Sequence, residues 1–157
     1  MSHPAENLAP EGKEAIATVI NQAVAETVVT TMLAQNFHWN VTGMAFGPLH
    51  ALFQEIYEDH FEGQDDLAER CKAIGGHAEG RLAKMVSLSK VSEHDGHADA
   101  ETMVKTLSDA QKTVSSTLAG LADIAEKFGD LKTQDLAIER GRAHEKFAWI
   151  LDAHLPK

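Results

Sequence analysis

Cysteine, proline, aromatic side chains and positive charge are all scarce in this sequence. A single cysteine, Cys71, has no partner for an internal disulfide, and no basic-then-apolar leader precedes the first helical pattern. Nothing therefore points to secretion, and the cytoplasm is the expected compartment. With only four prolines, long stretches of Ala, Leu, Glu, Lys and Gln run uninterrupted, and such residues lose little rotamer freedom in a helix. Charges are read as breaking each apolar stretch before it reaches the roughly 20 residues of a membrane span, so no membrane partner is expected. Fourteen basic residues against 24 acidic ones give a formal charge of −10, a field that repels polyanions and attracts cations. Naked DNA is thus a poor partner. An ordinary solvated surface explains the same acidic bias without any function.

What the sequence has in quantity is helical periodicity. Residues 1–10, polar and holding two prolines, read as a flexible arm. Ile16, Val19, Ile20, Ala23, Val24, Val28 and Met32 then recur at three-to-four spacing towards Phe37 and Val41, with a stop at Gly43. Gly47-Pro48 marks a restart, because proline in a first turn has no hydrogen bond to lose. Leu49, Leu52, Phe53, Ile56, Leu67 and Ala68 give this second helix its apolar side, and Gly75-Gly76 end it. The connection 77–98 is long and rich in Gly, Ser and His, with Leu82, Met85, Val86 and Leu88 able to form a short helix inside it. A third stripe runs through Met103, Leu107, Ala110, Val114, Leu118, Leu121 and Phe128. A fourth holds Leu136, Arg140, Ala143, Phe147, Ile150 and Leu151. At 157 residues one domain is expected over 1–157. Two helical pairs joined by one long crossover make an all-α, ferritin-like four-helix bundle with a short helix in the crossover.

The residues that carry metal chemistry gather around the first corner and along the second helix. His50, Asp65 and Glu69 are reached from one another through steps of three or four, so they share one helical stripe. They do not share one site. Fifteen steps at about 1.5 Å separate His50 from Asp65 by roughly 22 Å, far beyond metal–ligand bond lengths. An antiparallel two-fold pairing of this helix with its copy brings His50 of one chain to Asp65 and Glu69 of the other, in two equivalent sites. Imidazole with carboxylate suits Fe(II), Zn(II) or Mn(II). The competing interpretation is a packed His38, a half-exposed His50 and a solvated acidic face.

The run Asn36-Phe37-His38-Trp39-Asn40-Val41-Thr42-Gly43, with Phe46, Leu49-His50, Phe53, Tyr57, Asp65-Asp66-Leu67-Ala68-Glu69-Arg70 and Ile74-Gly75-Gly76, resembles the signature of the Dps family, the DNA-binding proteins from starved cells. The likeness continues through Gly129–Leu136 and Glu145–Leu151. It implies a hollow dodecamer built from two-fold dimers, in which Fe(II) is oxidised, with hydrogen peroxide the favoured oxidant, and stored as ferric mineral. It implies that His38 and His50 from one subunit, with Asp65 and Glu69 from its neighbour, hold two irons per site. It also implies that Trp39 scavenges oxidising equivalents, although a bulky corner tryptophan is equally expected as core.

One position departs from the family pattern. Where a carboxylate is usual, four residues after the second histidine, this chain has Gln54, a neutral oxygen donor. The second iron is therefore expected to bind weakly, and the alternative function is a structural or metal-binding cage with impaired oxidation, associated with the nucleoid. Asp130, Asp135 and Glu139 resemble the family's three-fold pore carboxylates; helix capping accounts for the first two equally well. His77, His94 and His97 read as solvated loop histidines and Cys71 as a small buried apolar group. The arm 1–14 holds Lys13 against Glu6, Glu11 and Glu14, so the phosphate contacts that drive nonspecific DNA binding are few and DNA binding is expected to be weak or absent.

Overall fold

The computed structural model describes residues 5–157. Among them it holds a 3-10 turn, Ala5–Asn7, and five α-helices, with no strand: α1 (Pro10–Asn40), α2 (Phe46–Ala73), α3 (Leu82–Leu88), α4 (Ala100–Lys127) and α5 (Leu131–Asp152). Four long helices and a short one in the crossover match the expected architecture. The expected flexible arm needs correcting. Residues 1–4 lie outside the described residues, but Ala5–Asn7 form a turn and Leu8 is buried in the bundle, so apolar contact fixes the chain before α1 begins.

Local chemistry explains the ends. Pro10 opens α1 at a position where no N–H is missed. Asp99 caps α4 by accepting from the Thr102 amide at 2.7 Å, and Asp130 caps α5 by accepting from the Thr133 amide at 3.1 Å. The corner after α1 turns at Gly43 with φ +103°, and α2 stops at Gly75 with φ +91°, conformations that side chains with a Cβ rarely adopt. Helix α2 starts at Phe46, ahead of the expected Gly47-Pro48 restart, with Pro48 inside its first turn.

Helices α1 and α2 pack as one pair and α4 and α5 as another, and α1 against α4 forms the main seam between them. Ile16, Ile20, Phe37, Phe53, Ile56, Leu67, Met103, Leu107, Leu118, Leu121 and Leu151 are fully buried there, each contributing about 1.5–3 kcal/mol of burial. Two ion pairs tie α2 to the end and the middle of α5: Arg70 with Asp130, and Asp59 with Arg140, at 2.8 and 2.7 Å. Helix α1 carries more apolar sequence than expected, since Glu26 is the only charge between Ala15 and Met32. By length and composition it could cross a bilayer, yet 61% of that apolar window is buried inside the bundle. Its buried threonines are satisfied locally: Thr27, Thr30 and Thr31 each donate to the carbonyl four residues back at 2.7 Å.

Candidate metal centre

His38 sits in the last turn of α1 and His50 in the first turns of α2, so the short corner between them folds the two rings onto each other. The rings stack with centroids 3.7 Å apart and planes 13° from parallel. Each Nδ1 lies 2.7 Å from the backbone carbonyl of the other histidine. A carbonyl oxygen only accepts, so each Nδ1 carries hydrogen and donates it. In the neutral rings this makes each Nε2 a lone-pair nitrogen, the form a metal requires. Among the described residues neither Nε2 has a hydrogen-bond partner.

Aromatic groups hold this geometry from both sides. Phe46 stacks on His50 at 5.0 Å, and Tyr57 sets its edge against His38 at 5.3 Å and 78°. His38 is 8% exposed and His50 half-buried, so two nitrogen donors stand preorganised at the edge of the bundle.

The carboxylates do not join them within the chain. Asp65 and Glu69 lie exposed, one turn apart, far along α2, and among the described residues no three His, Cys, Asp or Glu side chains converge. Gln54 is exposed and donates its Nε2 to Glu58 at 2.8 Å, which leaves its oxygen, a neutral donor, unengaged. Trp39, beside His38, is 61% exposed. Of its two readings, the one that packs it in the core fails, because α1 ends there and turns the indole outward. Met32, Leu82 and Val86 are also exposed, and a groove of about 570 Å³ runs between α1 and α3 past Met32, Trp39, Leu82 and His94; exposed Phe61 lines a neighbouring groove with Met32 and Leu82.

The three expected pore residues divide. Asp135 and Glu139 are exposed, one turn apart on α5. Asp130 has no exposed surface: its carboxylate takes the Arg70 guanidinium, the Thr133 amide and the Thr133 hydroxyl. This corrects its expected pore role, since capping α5 and pairing with Arg70 consume its charge. His94 is likewise no solvated loop residue. It packs edge-on against Phe37 at 5.4 Å and accepts from the Gly96 amide, whereas His97 is 90% exposed and Cys71 is buried as expected.

Sequence reading missed the aromatic walls and a polar cluster deep in the bundle. Phe46, His50 and Tyr57 are four and seven residues apart on one face of α2, so that signal was present. The deep cluster holds Asp59, His60, Gln111, Arg140 and His144. Its signal was polar residues at core positions of three apolar stripes, of which the stripes themselves displayed only Arg140.

Comparison with known proteins places this geometry. Residues 17–157 match the model of the ferritin-like domain. The chain is 34% identical over 145 residues to the DNA protection during starvation protein of Brevibacillus brevis, covering 91% of this chain and 96% of that protein. The crystal structure of a Dps protein from Bacillus brevis superposes with a TM-score of 0.91 at 31% identity, covering 95% of this chain and all of that one. A Dps protein from Vibrio cholerae, described as belonging to a broad superfamily of ferritin-like diiron-carboxylate proteins, superposes at 0.92 with 27% identity, covering 99% and 98%. On its fold, its paired corner histidines and these similarities, the chain belongs to the Dps family of ferritin-like mini-ferritins.

Proposed function

We propose that this protein stores iron and protects the cell by oxidising Fe(II), with hydrogen peroxide as oxidant, at sites shared between two subunits. The observation that carries this reading is the His38–His50 pair, whose backbone hydrogen bonds prepare two Nε2 lone pairs for a metal while the carboxylates lie far along the same helix. Antiparallel pairing of α2 with its copy supplies Asp65 and Glu69 from the neighbour. The exposed Met32, Trp39, Phe61, Leu82 and Val86 give that copy an apolar surface to cover. The donor set, two imidazoles and two carboxylates, fits Fe(II), Zn(II) or Mn(II). Fe(II) is substrate here: two Fe(II) give one electron each to a hydrogen peroxide, which takes up two protons from solvent, leaves as two waters and forms no hydroxyl radical. The ferric product is stored within a shell, a dodecamer of single-domain subunits built from two-fold dimers, and Asp135 and Glu139 draw cations towards it. Trp39, exposed beside His38, is placed to take up stray oxidising equivalents.

Gln54 makes the second iron position weaker by one negative charge. A second reading rests on that residue: a cage that binds metal or DNA with little oxidation. Relatives named for DNA protection during starvation support protection, while the formal charge of −10 and the single basic residue, Lys13, against Glu6, Glu11 and Glu14 in residues 1–14 argue for weak or absent DNA binding in a cytoplasmic protein. Mixing the metal-free protein with Fe(II) and stoichiometric peroxide separates the readings. We expect faster oxidation than in buffer, one tight and one weak metal per site in a Zn(II) titration, and restoration of the second by Gln54→Asp. Oxidation no faster than in buffer selects the cage, and a monomer in solution overturns both.

A further inference from the structure

The bundle holds a second histidine pair, which the proposed chemistry leaves unused. His60 of α2 and His144 of α5 have no exposed surface and stack with centroids 4.3 Å apart. Both aim at one atom. Oε1 of buried Gln111, from α4, lies 2.9 Å from His60 Nε2 and 2.7 Å from His144 Nδ1. The other nitrogen of His60, Nδ1, lies 3.0 Å from Asp59 Oδ2, and Arg140 donates to that same carboxylate at 2.7 Å.

The hydrogens in this cluster can be counted. A carboxylate and an amide oxygen both only accept, so in this arrangement His60 donates from both nitrogens and is an imidazolium. Gln111 Nε2 is meanwhile buried without a partner, and so is His144 Nε2. Turning the amide by 180° exchanges oxygen for nitrogen in nearly the same shape. Nε2 of Gln111 then donates one hydrogen to His60 Nε2 and the other to His144 Nδ1. His60 becomes neutral with hydrogen on Nδ1, and His144 neutral with hydrogen on Nε2. The two arrangements differ by one proton.

We propose that His60, Gln111 and His144 form a buried one-proton switch linking α2, α4 and α5, in which proton uptake at His60 Nε2 reverses the Gln111 amide. His144 gives up its Nε2 hydrogen and takes one on Nδ1, so the whole step gains a single proton. The surroundings favour the neutral arrangement at rest. Burial lowers the His60 pKa, with Asp59 opposing it. At His144 burial is reinforced by the positive charges of His60 and Arg140, so a second proton is excluded while the first is bound. The facing charges are Asp59 from α2 and Arg140 from α5, and α4 presents the neutral Gln111. The buried carboxylate of α1, Glu26, accepts at Oε2 from Gln22 and the Lys90 amide, while its Oε1 is buried without a partner. A bound metal ion fits poorly, because Arg140 disfavours a cation and among the described residues no third His, Cys, Asp or Glu side chain converges with the pair. Because the cluster bridges the α1–α2 pair to the α4–α5 pair, their docking becomes sensitive to acid.

The test is a pH series of ¹⁵N spectra of the sedimented, histidine-labelled protein, which reports hydrogen on each ring nitrogen. At pH 7.5 we expect His60 protonated on Nδ1 alone and His144 on Nε2 alone. Below pH 6.5 His60 should gain its second hydrogen in the same transition that moves the His144 hydrogen to Nδ1. Gln111→Glu offers only accepting oxygens, so it should keep His60 an imidazolium at pH 7.5, its transition raised by at least about one pH unit. Two rings that titrate independently, a His144 tautomer unchanged through the His60 transition, or a neutral His60 in Gln111→Glu each overturn the switch. If that variant does not assemble, the unmodified protein decides alone.

Discussion

The two stacked histidine pairs share ring chemistry and nearly the same spacing, 3.7 Å for His38 with His50 and 4.3 Å for His60 with His144, but their partners differ. Backbone carbonyls hold the first pair and admit one tautomer only, so both Nε2 atoms are permanently presented. A side-chain amide holds the second pair, and since an amide can turn, the tautomers follow the proton count. The first pair stands at the edge of the bundle on a corner the chain cannot avoid. The second is enclosed where every unpaired polar atom costs about 1–3 kcal/mol. Fixed partners suit the first pair to the ligand role we propose for it, and a reversible partner suits the second to the switch.

The largest effect that separates the pairs is on oxidation. His50→Ala removes one Nε2 and the partner that orients His38, and the Fe(II)–peroxide rate should fall by about 10- to 100-fold or more with the fold intact. A rate within twofold of the parent would remove this pair from the chemistry. Next comes Arg140→Leu, which strips Asp59 of its guanidinium. Breaking a buried pair costs about 3–5 kcal/mol, and we expect the low end in urea unfolding because Asp59 is one-third exposed. Oxidation per folded subunit should not change.

Gly63→Ala probes the same contact gently. A Cβ there would run into the Arg140 guanidinium carbon, so the guanidinium must shift, at about 1–3 kcal/mol; unchanged unfolding would show that it moves freely. Acid should act on the deep pair with a definite sign. Burial leaves the folded pKa values of His60 and His144 below the ordinary 6.5, so the unfolded chain binds more protons in that window. Their contribution to stability is complete above pH 6.5 and lost as pH falls below it, at no more than about 1.4 kcal/mol per pH unit for the first proton. Thermal melts of the unmodified protein and Gln111→Glu across pH 5 to 7.5 check this, and equal slopes would contradict it. Smallest is Trp39→Phe: the indole is 61% exposed on the subunit and Phe keeps an aromatic face for the neighbouring copy to cover, so stability should stay within about 0.5 kcal/mol, while oxidative damage to the protein under excess peroxide should rise.

Much of this could be read from the chain itself, and the failures have identifiable causes. Four apolar stripes, with glycine stops for the first two, located the helices to within a few residues, because burial against a partner helix demands that spacing. His38 and His50 were legible as a pair through their motif. The outward turn of Trp39 was not, since bulk at a helix end says nothing about which side the next corner takes. Asp130 failed as a pore residue because Arg70, sixty positions earlier, neutralises it.

By itself the sequence determined the helical content, the long crossover, and the fact that His50 and Asp65, fifteen residues apart on one helix, lie too far apart to share a site within a chain. Those follow from local geometry, the 3.6-residue turn and the 1.5 Å rise. Only the tertiary structure decided which nitrogen each histidine presents and which charges are spent inside the bundle. It also decided that His60, Gln111 and His144 meet at one amide. Hydrogen-bond partnership depends on distances of a few tenths of an ångström between side chains of different helices, and spacing along the chain does not encode these.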